Sequence, residues 1–258
     1  MSSYTGTQSV VRVLRLLKLF NGEQREWTLN ELVDASQLNK TTVFRMLTAL
    51  ESEGMIERTI HGNYQLGIEM IALGGRAVRN NDLRAVANPI MQKLVDQINE
   101  RMTLEQLVME QDGSYCMMIT DEVNSNYLIR INQEIGTRLP IHATSTGKAM
   151  LAFMSTEDRE IALQQQFSVF TENTVTDSAV LAAELAEIRQ RGYATALGEL
   201  EQGLMAAGTP IFNFTGEPVA TISVEGPSSR IDEAKLHQLA QQMLRAAKEI
   251  SGRLGYKN

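Results

Sequence analysis

The densest run of chemistry-bearing side chains is IHATSTGKAMLA, residues 141–152, where an apolar strand end passes into a helix. Backbone N–H groups at Ser145, Thr146 and Gly147, the hydroxyls of Thr144 and Ser145, and the positive end of the helix dipole together suit a carboxylate. Plain helix capping explains the same residues and stands beside that reading. A nucleotide-binding P-loop does not fit, because it needs Gly five residues before Gly147 and Ser or Thr after Lys148, where this chain has His142 and Ala149. Ser145 with His142 supplies a nucleophile and a base on paper, but no G-x-S-x-G elbow surrounds the serine. Glu199 and Glu201, alternate residues on one strand face, read either as a catalytic carboxylate pair or as a solvated loop rim. His61, His142 and His237 lie far apart and Cys116 has no CxxC partner, so neither a metal nor another cofactor is expected. Cys116 reads as a small buried hydrophobe, and methionine pairs such as Met117-Met118 as core filling or an adaptable pocket lining.

The elements that position these residues follow from periodicity. In 9–20, SVVRVLRLLKLF, Val10, Val13, Leu14, Leu17 and Phe20 share one helical face, and Asn21-Gly22 ends the helix. Thr28 with Glu31 three residues on is a capping box for a short helix, LNELVDAS. Ser36 to Asn39 reads as a turn. From Lys40 to Glu53 a second helical period puts Val43, Met46, Leu47 and Leu50 inward, and Gly54 ends it. MIERTI and NYQLG then flank a His61-Gly62-Asn63 turn as a hairpin. Helix, short helix, turn, longer helix and hairpin is the winged helix-turn-helix layout, whose third helix enters the DNA major groove. Its outward residues here are Lys40, Thr41, Thr42, Phe44 and Arg45: hydroxyls and amine for phosphate, a guanidinium for a guanine edge, a ring for a thymine methyl. Capping and partial core burial are the alternative roles for Lys40, Thr41 and Phe44. Arg58 and His61 on the hairpin are candidates for backbone or minor-groove contact, or for a solvated wing.

Downstream, 68–79 reads as a linker helix with Gly74-Gly75 as its point of bending, and Asn80-Asn81-Asp82 caps a helix over 83–100 that contains Pro89. Strands are expected at 103–110, 114–121, 127–133, 193–198, 205–213 and 218–225. Helices are expected at 146–153, 157–166, 178–191 and 232–254, with Thr156 and Asp177 as caps. The fold class is α/β of the segregated, α+β kind. The division is 1–67 for the DNA-binding domain, 68–82 for the linker helix and 83–258 for the second domain. The net charge of -7 is uneven: residues 1–81 hold nine basic and eight acidic side chains, and the remainder fifteen and twenty-three. The first part is therefore free to approach phosphate. No apolar stretch spans a bilayer and no leader is visible, so a cytoplasmic protein without membrane contact is expected.

The text LNKTTVFRMLTALESEGMIER, YQLG, HATSTGKAMLA, GELEQGLMAAGTPI and PVATISVEGPSSRI, in this order and spacing, resembles the IclR family of bacterial and archaeal regulators from about Ser9 to Leu254. The resemblance implies a winged helix-turn-helix on operator DNA, a linker helix, a C-terminal GAF-like effector-binding domain, and a homodimer or homotetramer. It further implies a pocket for a small organic acid, carboxylic or aromatic, built from Thr144, Ser145, Thr146 and Gly147, the loop from Glu199 through Glu201 to Ala206, and Ser223 and Glu225. Three positions depart from the family's small-keto-acid pattern: Ala196 for an Asp, Ala206 for a Cys and Glu225 for a Ser. These favour a larger or less polar ligand, with Glu225 meeting either a ligand hydroxyl or amine, or Arg230. The rival reading is an enzyme acting on a small acid.

Overall fold

The computed structural model describes residues 7–20, 24–79, 82–127 and 133–257. They divide into two compact units on either side of the Asn81–Asp82 junction.

The first unit begins with α1 (Gln8–Leu17) and α2 (Leu29–Ser36), the latter started by the Thr28–Glu31 capping box. Gln37 takes a left-handed conformation, and Asn39 then caps α3 (Lys40–Ser52) by accepting from the Thr42 N–H at 2.8 Å. Strands β1 (Ile56–Arg58) and β2 (Tyr64–Leu66) pair antiparallel, with Trp27 bridging Tyr64 on the far side. Leu32, Val43, Leu47, Leu50, Ile56 and Tyr64 close the core of this unit together with Leu16 and Phe20. The α1 face differs from expectation. The buried residue of α1 is Leu16, flanked by half-buried Val13 and Leu17, and Val10 and Leu14 are 55% and 53% exposed. At 100° per residue, Val10 and Leu14 belong to a neighbouring stripe that α2 and α3 do not reach. Helix α4 (Ile68–Arg79) runs unbroken through Gly74-Gly75 and leaves Ile68 and Ile71 exposed. The proposed stop at Asn21-Gly22 and the cap residues Asn80 and Asn81 lie outside the described residues.

The second unit is a six-stranded antiparallel sheet between helices. In chain order it comprises α5 (Asp82–Ile98), β3 (Arg101–Met109), β4 (Tyr115–Val123), β5 (Arg138–Pro140), α6 (Ser145–Phe153), α7 (Thr156–Leu163), α8 (Ser178–Arg191), β6 (Ala194–Leu197), β7 (Leu204–Phe212), β8 (Pro218–Pro227) and α9 (Glu233–Arg253). The spatial order is β5-β4-β3-β8-β7-β6. Helices α5 and α9 cover one face, burying Met102, Leu104, Ile222 and Val224; α6 and α8 pack over the other with Ala194 and Ile141. A register shift between Leu104 and Glu105 turns β3 as it passes α6. The strand expected at 127–133 falls mostly outside the described residues, and Tyr127 and Gln133 at its ends belong to no regular element. Strand β5 lies just before 141, where a strand end was expected without bounds, since three residues are too short for a period. The α7 cap is Ser155, one residue before Thr156, whereas Asp177 caps α8 as expected. Among the described residues no helix is long and apolar enough to cross a membrane.

Candidate functional site

In the first unit the outward face of α3 carries Lys40, Thr41, Phe44 and Arg45, all exposed, with Thr42 half-buried beside them. Phe44 is 45% exposed and so is not a core residue. The Lys40 ammonium donates to Asn30 Oδ1 at 3.2 Å, which holds it near the start of α3, and Arg45 has no polar partner among the described residues. Thr48, one turn further along, is also exposed, and its hydroxyl donates to the Phe44 carbonyl. It continues the same stripe at i+4 spacing, a signal that was present in the period. On the hairpin, Arg58 pairs with Glu51 at 3.3 Å and lies over the Tyr64 ring at 4.9 Å. Its guanidinium is thus partly neutralised, while His61 stands exposed at the turn.

In the second unit the chemistry is set by strand alternation. Thr103 lies opposite Ser223 and Arg101 opposite Glu225 on adjacent strands. Their neighbours Met102, Leu104, Ile222 and Val224 fill the core on the α5/α9 face. The polar set therefore points to the opposite face, towards the N-terminus of α6. A narrow cavity of about 20 Å³ lies between them, lined by the polar residues Glu105, Ser145, Thr146, Ser223 and Glu225 and by Leu139, Leu200, Leu204 and alanines. Ala196 and Ala206 pair across β6 and β7, and their small side chains widen that apolar wall. Two glycines let the backbone close in. A Cβ on Gly147 would sit 2.1 Å from the Ile141 carbonyl oxygen, and one on Gly208 would sit 2.6 Å from the Ser145 backbone.

Thr144 caps α6: its Oγ accepts from the Gly147 N–H at 3.1 Å and donates to the Pro140 carbonyl. Gly147 is therefore not a free donor, and the N–H groups left at the helix start are those of Ser145 and Thr146. Thr144, Ser145, Thr146, Glu199, Ala206, Ser223 and Glu225 line the cavity; Glu201 is exposed and lies outside its lining. Glu225 meets neither Arg230 nor open cavity alone. It is ion-paired to the buried Arg101, which also binds Glu122 at 2.6 Å and the Gln133 carbonyl, whereas Arg230 pairs with Glu100 at 2.9 Å. Glu199 is held by the Lys148 ammonium at 2.7 and 2.9 Å, and Lys148, 1% exposed, also takes Glu184 at 2.7 Å. These two cations went unread in the sequence because each sits in an ordinary-looking strand or helix.

The remaining polar group is Glu105. It accepts from Thr146 Oγ at 2.6 Å and Thr103 Oγ at 2.7 Å, and Thr103 Oγ lies 2.6 Å from Ser223 Oγ. Burial pushes its carboxyl up to about 7, against the pull of the two hydroxyl hydrogen bonds. Nothing in TLEQLVME singled it out, since an alternating polar residue is normal in a strand.

The enzyme reading loses its geometry. His142 Nε2 bonds the Ser168 carbonyl at 2.9 Å and the ring stacks on Phe167, so it does not serve Ser145. Glu199 is neutralised by Lys148, and Glu201 is outside the cavity. Burial and the Glu110 contact push the Cys116 thiol up to about 11, far from thiolate chemistry at neutral pH. Among the described residues no cluster of His, Cys, Asp or Glu is arranged for a metal ion.

Residues 75–252 match the family described as Bacterial transcriptional regulator IclR C-terminal, and residues 9–59 match the IclR helix-turn-helix domain. Among curated relatives, the HTH-type transcriptional regulator KipR of Bacillus subtilis is 32% identical over 96% of this chain and 98% of its own. The transcriptional repressor IclR of Escherichia coli is 30% identical over 95% of this chain and 89% of its own. A crystal structure of an IclR homolog from Microbacterium hydrocarbonoxydans, complexed with 4-hydroxybenzoate, has a TM-score of 0.82 at 26% identity, covering 96% of this chain and 99% of that one.

Proposed function

The chain belongs to the IclR family of transcriptional regulators, and we propose that its operator affinity is set by a small carboxylic acid bound in the cavity at the start of α6. The observation that carries this reading is the cavity lined by Ser145 and Thr146, the first two residues of α6. Such a helix end attracts an anion through fixed donors and the helix dipole, and burial strengthens both. The apolar far wall, widened by Ala196 and Ala206, suits an acid with an apolar or aromatic body. A homolog that holds 4-hydroxybenzoate is consistent with this class.

DNA is read by the α3 face. Lys40, Thr41 and Thr42 meet phosphate, Phe44 meets a thymine methyl and Arg45 meets a guanine edge, with His61 and the half-neutralised Arg58 as weaker wing contacts. Val10, Val11 and Leu14 on α1 form an apolar stripe without cover in one chain, which supports self-association through the first unit. Two such units related by a two-fold axis fit half-sites about one helical turn apart. The acid shifts the equilibrium between DNA-competent and incompetent states by binding them unequally.

Thermal-shift screening against aliphatic and aromatic monocarboxylates, followed by operator titration with the best hit, tests the reading. A raised melting temperature together with a changed operator affinity is expected. A panel without any shift, or a shift that leaves operator binding untouched, overturns it. Ser145→Trp should abolish the response while leaving DNA binding of the ligand-free protein intact.

A further inference from the structure

Three glutamates face the cavity, and two are matched by cations: Glu199 by Lys148 and Glu225 by Arg101. Glu105, only 2% exposed, is held by hydroxyls alone. Its partner Thr146 stands in the first turn of α6, so the seat for an anion already lies beside a carboxyl. The charged groups around it leave this unbalanced. On β8 Glu225 and on β3 Arg101 offset one another, and Glu122 on β4 shares Arg101. Lys148 on α6 is turned to Glu199 and to Glu184 on α8, and the β7 lining, Leu204 and Ala206, carries no charge. Two ionised carboxylates side by side in so dry a space repel strongly unless they share a proton.

Resting on the carboxylate reading above, we propose that a carboxylate effector enters the cavity together with one proton, which resides on Glu105 and turns Ser223 into a donor to the effector. The proton comes from solution to a Glu105 oxygen. Glu105 then donates to Thr103 Oγ, Thr103 donates to Ser223 Oγ, and the Ser223 hydrogen is released towards a carboxylate oxygen of the effector. With Glu105 ionised the same chain runs in reverse, each hydroxyl donating towards Glu105, and Ser223 presents only lone pairs to the cavity. No covalent bond changes apart from the one proton gained. The carboxyl of Glu105 sits at about 7 in the ligand-free protein, so near neutral pH its proton is available at little cost. Glu105 is thus a further effector-recognition residue, acting through Ser223.

Isothermal titration of the full-length protein with benzoate, and with pyruvate as a second probe, in buffers of different ionisation enthalpy counts the protons exchanged. The wild type should take up about one proton per benzoate near pH 8 and almost none below about pH 6, with affinity falling about tenfold per pH unit above about pH 7. Glu105→Gln, which fixes the neutral shape, should bind with no proton uptake and a flat pH profile. Binding by the wild type without proton uptake near pH 8 overturns the proposal whether or not the variant folds. Uptake that survives in Glu105→Gln also overturns it. Failure of the wild type to bind either probe at any pH, with no shift across the carboxylate panel, overturns the carboxylate reading itself, and this proposal with it.

Discussion

Lys148 and Arg101 are almost fully buried, each ion-paired with two carboxylates. Removing one member of such a group strands the opposite charge, which costs more than the pair itself contributes. Lys148→Ala should therefore destabilise the protein by about 3–5 kcal/mol in urea unfolding. Glu105 has the opposite balance, because its buried carboxyl titrates at about 7 in the folded chain, above its ordinary 4.5. The native state then holds more protons than the unfolded one across that interval. Stability falls as pH rises from about 4.5 to about 7 and stays lowered above it. Glu105→Gln should remove that slope and exceed the wild type near pH 8 by up to about 3 kcal/mol; unfolding at about pH 5 and about pH 8 measures both. On the DNA side, Arg45→Ala should weaken operator binding by about 1–3 kcal/mol if the guanidinium makes a bidentate base contact, and unchanged anisotropy titrations would remove that role.

Helix ends were the most legible elements, because capping is local. Thr28 with Glu31 and Asp177 are caps where their residue types and spacing put them. Asn39, read as part of a turn, is the cap of α3, and Asn39→Ala should cost about 1 kcal/mol of thermal stability through the lost bond to the Thr42 N–H. Gly147 looked like one of three donors to a ligand. Its necessity is steric, since a Cβ would meet the Ile141 carbonyl oxygen, and Gly147→Ala should destabilise by about 1–3 kcal/mol and loosen the cavity. The α1 face was misread because Val10, Val13, Leu14 and Leu17 form as good a stripe as Val13, Leu16, Leu17 and Phe20. Periodicity finds a stripe; the packing partners α2 and α3 select which one is buried.

At the scale of the whole molecule, the exposed stripe at Val10, Val11 and Leu14 is the surface a second chain would cover under the proposed self-association. Replacing Val10 and Leu14 together by Glu should lower the mass seen by light scattering while the thermal transition of the second unit persists. Retention of the wild-type mass would place self-association elsewhere. The winged helix-turn-helix layout, the helices of the second unit and the α6 motif are determined by sequence alone, because caps, turns and 3.6- or two-residue periods involve neighbours a few positions apart. The uneven charge of the two parts is equally a matter of counting. Which polar residues share a cavity is decided only by the tertiary structure. Glu105 meets Thr146 across 41 residues, Lys148 meets Glu199 across 51 and Arg101 meets Glu225 across 124. Strand register and the seating of α6 over the sheet create these meetings, and no local pattern encodes them. The helix start at Ser145 was visible as a place for an acid; that the place already holds a carboxyl of its own followed only from the fold.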